Sequence, residues 1–189
     1  MIAAVILTGL TDSLMPGSRL SGVLALIAAA LHAARLSGWR GLATRKEPLL
    51  FVLHAAYGCL AAGYLLLGLS KLGLDLPDTG AIHALTAGAI GSTILAVMTR
   101  VALGHTGRAL KAASLTVLAY WLLGGVAVLR TFSPLASPGR YLDLIDLSAI
   151  GWTLCFSIFL WVYWPVLTGP TASSSQILAQ EKLRDKPRS

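Results

Sequence analysis

The sequence predicts an all-α protein, a polytopic transmembrane bundle of about five full spans plus a partial N-terminal one. Composition is the first observation behind this. Of 189 residues, 56% are hydrophobic and only 12% charged, about half the charged share of a soluble domain. The second is periodicity: apolar runs long enough to cross a bilayer recur along the chain, separated by short polar loops. The third is where the charges sit. The net charge of +7 is spread between the apolar runs, where it sets membrane topology. It is not gathered on a soluble surface that would bind nucleic acid. Cys59 and Cys155 both fall inside apolar runs, as buried free thiols rather than a disulfide pair.

Residues 1–170 read as one transmembrane domain. Met1 to Leu10 is apolar but shorter than the roughly 20 residues of a span. No basic region precedes it, which argues against a signal peptide, and it reads as the end of a helix whose beginning is missing. Asp12, Ser13 and the Pro16-Gly17 turn form a loop. The first full span, 19–36, ends in a basic loop with Arg35, Arg40, Arg45 and Lys46. Pro48 opens the second span, 48–70, because proline suits a helix's first turn. After a loop with Lys71, Asp75 and Asp78 comes the third span, 80–103. His105, Arg108 and Lys111 follow it, then the fourth span, 112–131. The loop SPLASPGRY leads to the fifth span, 144–167, and Pro165 and Pro170 mark its exit. Residues 171–189 form a polar tail.

The positive-inside rule orients the spans. Eleven Lys and Arg fall on one side: Arg35, Arg40, Arg45, Lys46, Arg100, Arg108, Lys111 and four in the tail. Four fall on the other: Arg19, Lys71, Arg130 and Arg140. The first side, with the C-terminus, is expected to be cytoplasmic. Tyr141, Trp161, Tyr163 and Trp164 flank the last span as interfacial anchors.

The third span carries a stripe of small residues, Ala84, Gly88, Ser92 and Ala96, with Gly91 beside it. Such a face admits another helix or a planar cofactor close to the backbone. The candidates for chemistry are the histidines, since an ionisable group inside a membrane helix is a functional candidate and neutral imidazole is the commonest metal ligand. At 1.5 Å per residue, His54 lies about 10 Å and His32 about 6 Å inside the cytoplasmic ends of their helices. His105 lies at that surface, and His83 is about 5 Å from the opposite face. In a core about 30 Å thick, His54 and His83 are roughly 15 Å apart in depth, too far for one metal with bonds of about 2 Å. Two sites follow, or partner histidines from elsewhere.

His54 has Tyr57 and Gly58 on its own face at the next turn, and the glycine leaves room for a ring. His32 is either a hydrogen-bonded interfacial histidine or a further ligand. His105, with Thr106 and Gly107 in GHTGR beside Arg108, suits a helix C-cap, an anion site or a metal. Met98 is either packing or a soft copper ligand. No carboxylate pair, nucleophilic triad, phosphate loop or CxxC motif is present, which removes support for hydrolase or nucleotide chemistry.

Several segments together resemble the NnrS family of bacterial membrane proteins: HALTAGAIGSTILAVMTR (83–100), LGHTGR (103–108), PLLFVLHAAYG (48–58), RLSGWRG (35–41) and FLWVYWPVLTGP near the end. The resemblance covers about residues 35–170. It implies a haem- and copper-containing protein of the bacterial inner membrane, tied to nitric oxide response, nitrosative stress and denitrification. Family members are longer, so the chain resembles the C-terminal half alone. It is then expected to pair with further transmembrane helices, from a missing half, a partner subunit or a second copy. By the same resemblance His54, His83 and His105 are the expected ligands, and Arg100 and Arg108 the partners of haem propionates or another anion. Whether the family's activity is enzymatic is left open. The competing class is a cofactor-free transporter whose histidines and arginines line an anion or proton path.

Overall fold

A computed structural model describes residues 1–172; the expected polar tail lies beyond them, apart from its first two residues. There are six helices and no strand among the described residues, with α1 at Ile2–Leu14, α2 at Arg19–Ser37, α3 at Pro48–Lys71, α4 at Asp78–His105, α5 at Ser114–Phe132 and α6 at Pro138–Thr168. Five of them, α2 to α6, are long and apolar enough to cross a membrane. The expected all-α transmembrane bundle is what the chain forms, and the protein is a multi-pass membrane protein.

Local chemistry sets the helix ends. Ser18 caps α2, its hydroxyl accepting from the Leu20 N–H at 3.2 Å, as a serine N-cap does. Pro48 and Pro138 open α3 and α6, where a missing N–H costs nothing. For that reason α6 starts at Pro138, ahead of the 144 suggested by hydropathy. The GHTGR turn closes α4. Gly107 takes φ +68°, the Arg108 N–H reaches the Leu103 carbonyl at 3.0 Å, and the Gly107 N–H reaches that of Gly104 at 3.1 Å. This is the glycine C-cap that satisfies a helix's last carbonyls.

Lipid is as apolar as leucine, so close packing and interhelical hydrogen bonds hold such a bundle together. Between α2 and α3 the backbones nearly touch: a Cβ on Gly68 would lie 2.6 Å from Leu26 and 3.0 Å from the Gly22 carbonyl. A second core joins α3 to α6 through Leu49, Leu95, Ala102, Leu103, Ala119, Leu123, Cys155, Phe159 and Tyr163. The Thr116 and Tyr163 hydroxyls pair at 3.3 Å, Thr99 pairs with Tyr120, and the Cys155 thiol donates to the Ala119 carbonyl at 3.4 Å. Outside, Trp121, Trp161 and Trp164 are 71%, 79% and 66% exposed, a surface for lipid.

The small-residue stripe of α4 is buried within this packing. A Cβ on Gly88 would lie 3.0 Å from that of Cys59 in α3 and 3.6 Å from that of Ala127 in α5. Helices, not a planar group, therefore cover this glycine. One feature of α4 has no counterpart in the hydropathy pattern: Ala84–Gly91 is wound as a π-helix. Such segments recur at functional sites.

Candidate functional site

The face that carries the α2–α3 loop and the end of α4 is called here the basic face; the other is the far face. Beside the basic face a cavity of about 680 Å³ is lined by Leu36, Arg40, Gly41, Leu42, Phe51, His54 and Gly58, among others. His54 occupies the second turn of α3. Its Nδ1 lies 2.9 Å from the Leu50 carbonyl, one turn back. A carbonyl only accepts, so Nδ1 carries the proton and Nε2 is left with the lone pair. Among the described residues Nε2 has no hydrogen bond. This is how a metal-binding histidine is usually set, with one nitrogen orienting the ring and the other free to coordinate.

The loop 38–47 shapes the other wall. Arg40 adopts the left-handed conformation, φ +49° and ψ +39°, which a non-glycine residue enters at a cost of roughly 1–2 kcal/mol. The short 3₁₀ turn Gly41–Thr44 then returns over α3. A Cβ on Gly41 would fall 2.9 Å from the His54 ring, so only glycine lets the loop approach the imidazole so closely. Trp39 meets that ring edge-on at 5.8 Å, and the Arg35 guanidinium lies over Trp39 at 5.3 Å.

Tyr57, expected to support His54, is committed elsewhere. Its hydroxyl lies 2.7 Å from His32 Nδ1 and also within 4.0 Å of the Met1 sulfur. His32 is 6% exposed, is stacked on Tyr64 at 5.9 Å, and its Nε2 is buried with no partner. The hydrogen-bonded alternative for His32 is thus present, and an unpaired imidazole nitrogen remains with it.

His83 is elsewhere. It lines a cavity of about 410 Å³ near the far face, with Thr86, Ala87, Val126, Arg130, Ser148, Ala149, Trp152 and Thr153. The two cavities share no residue. Gly91 seats the Trp152 ring, which lies 2.8 Å from where its Cβ would be.

The remaining candidates line neither cavity. His105 is exposed at the end of α4, and Met98 is exposed on the bundle surface. Thr106 donates to the Ala102 carbonyl at 2.7 Å. Arg108 donates to the carbonyls of Val166 and Pro170 at 3.1 and 3.3 Å, a cation at the C-terminal end of a helix dipole. Arg100 is half-buried without a hydrogen bond or ion pair among the described residues. Nowhere among them do three His, Cys, Asp or Glu side chains converge on one point. Arg40, Gly41, Trp39 and Arg130 were not apparent as site residues. The first three stood inside the RLSGWRG segment, which was the available signal; Arg130 gave none, because its partner is a helix far away in sequence.

These features define a polytopic helical membrane protein with a separate histidine-lined cavity toward each face. More narrowly, the chain belongs to the NnrS family: the family model described as NnrS protein matches residues 1–171. No curated protein and no solved structure matches it.

Proposed function

We propose that this is a haem-carrying NnrS-type protein of the bacterial inner membrane, with its basic face cytoplasmic, serving nitric oxide response or protection against nitrosative stress. The observation that carries the reading is His54. Its Nδ1–H is fixed by the Leu50 carbonyl, and its Nε2 is available beside a cavity of about 680 Å³. A haem here would be held through His54 Nε2. Gly41 and Gly58 leave room beside the ring. Leu36, Leu42 and Phe51 give the cavity apolar walls. Arg40 offers a propionate its planar fork, whereas Arg100 lines neither cavity. Arg108 is engaged by the carbonyls of α6. When bound, haem supplies an iron able to take a small diatomic ligand such as nitric oxide. Copper has no comparable ligand set among the described residues, and no step here is assigned to it.

The test is the visible spectrum and haem content of protein made under haem-replete conditions. A Soret band near stoichiometric haem is expected, lost in His54→Ala and retained in His83→Ala. If both variants lost the same centre, the separation of the two cavities would have no functional meaning. Haem-replete protein without a Soret band would instead favour the cofactor-free anion or proton path.

A further inference from the structure

We propose that the cavity near the far face binds an anionic amphiphile, a carboxylate or phosphate on a hydrocarbon chain, whose charged end is held by Arg130 and His83. This is independent of haem at His54.

The argument begins with the polar groups that line the cavity. Ser148, Thr86 and Thr153 donate to carbonyls of their own helices, those of Ile145, Ile82 and Ala149, at 2.7, 2.8 and 2.9 Å. Their protons are therefore engaged. The side chains of Arg130 and His83 have no hydrogen bond or ion pair among the described residues. They are the donors left for a ligand. No Asp or Glu lines the cavity, and both ion pairs among the described residues belong to Lys71 on another part of the bundle. Arg130 stands half-buried in the last turn of α5 near the far face, with no carboxylate in the lining to balance it. The missing partner is an anion, and the guanidinium fork matches a carboxylate or phosphate.

The rest of the cavity specifies what carries that anion. Its volume of about 410 Å³ is roughly a dozen times the share of one liquid water molecule, far more than an inorganic oxyanion fills. Ala87, Val126, Ala149 and Trp152 make the wall apolar. Thr86, Trp152 and Thr153 are also exposed at the bundle surface, at the level of the spans, so the cavity opens toward lipid. A ligand entering from the bilayer brings a chain for this wall and a charged group for Arg130. A metal ion is a poor match, because His83 is the one His, Cys, Asp or Glu side chain in the lining.

The test uses Trp152 as reporter. Protein in neutral detergent is titrated with dibromostearic acid, whose bromines quench nearby tryptophan. A saturable component is expected above the background from the lipid-facing tryptophans, and that component is absent in Trp152→Phe. Arg130→Gln should weaken binding at least roughly tenfold, the usual loss for one partner of a buried charged contact. Arg130→Lys should restore part of it, and Arg140→Gln should change nothing. Dibromostearyl alcohol, with the same chain and no charge, should bind at least roughly tenfold more weakly to the wild type. Equal binding of acid and alcohol would overturn the proposal even if Arg130→Gln failed to fold, and so would unchanged binding by a folded Arg130→Gln. Competition by phosphatidylglycerol but not phosphatidylcholine would identify the occupant as an anionic membrane lipid. Displacement by free fatty acid alone would identify a soluble carboxylate.

Discussion

At the scale of single residues, the loop over His54 sets two requirements against each other. Arg40 stays in a left-handed conformation that glycine would adopt without strain. Arg40→Gly should therefore raise the melting temperature slightly, by relief of about 1 kcal/mol, while weakening haem retention through loss of the guanidinium. Thermal melts and haem content read together check both halves; a variant better in both would remove Arg40 from the site. Gly41→Ala should also lower haem content, by adding strain where Arg40→Gly relieves it. Its methyl would press on the imidazole at 2.9 Å, which displaces the ring and lowers haem content, and a shifted Soret band would report it. In Tyr57→Phe, His32 loses its hydrogen bond and keeps an orphan at both nitrogens. A cost of about 1–3 kcal/mol is expected, seen as a lower melting temperature with the His54 spectrum intact. Much of His54 was legible in sequence, since the i−4 carbonyl that fixes its proton is given by helix spacing alone. The wall opposite was not legible, because it depends on one φ angle at Arg40 that no composition rule dictates.

At the scale of elements, the bundle is fastened at both ends. On the far face Lys71 bridges Asp12 and Asp78, each at 2.7 Å, and Ser70 donates to Asp78 at 2.6 Å, so α1, α3 and α4 meet at one ammonium. Lys71→Met should leave two carboxylates facing each other and lower stability by about 2 kcal/mol, the scale of a hydrogen bond to a charged group. Detergent melts of Lys71→Met against Asp12→Asn would show it, and equal melting of wild type and Lys71→Met would make the contact incidental. On the basic face Arg108 ties α4 to the end of α6. The hydropathy pattern was enough to find each span, because a bilayer demands length and apolarity. It did not reveal which charges pair across helices, since Asp12 and Lys71 are brought together only by packing. The stripe of α4 was legible as a close-contact face, and the structure supplies the occupant. Gly88→Leu would drive a side chain into Cys59 and Ala127, and loss of folded monodisperse protein is expected. Wild-type stability in that variant would place the stripe against lipid.

At the scale of the whole molecule, topology is the broadest prediction. The eleven-to-four division of Lys and Arg leads us to expect the basic face in the cytoplasm, so a reporter joined after Pro170 should read cytoplasmic. A periplasmic reading would invert both cavities relative to the cell. The π-wound stretch of α4 bears on the same geometry in another way. It places more residues in its turns than an α-helix does, so the angle between the two ends of α4 differs from that of a continuous α-helix. Inserting a single alanine after Gly91, where α winding resumes, should lengthen the α-wound part by one residue. That would swing the end bearing His83 by about 100° relative to Ser92–His105. The expected product keeps the Arg108 tie to α6 and a haem spectrum at His54, yet loses the saturable quenching that depends on Trp152. In genetic terms, one codon sets the angle between the two halves of this helix, and with it whether the far cavity exists.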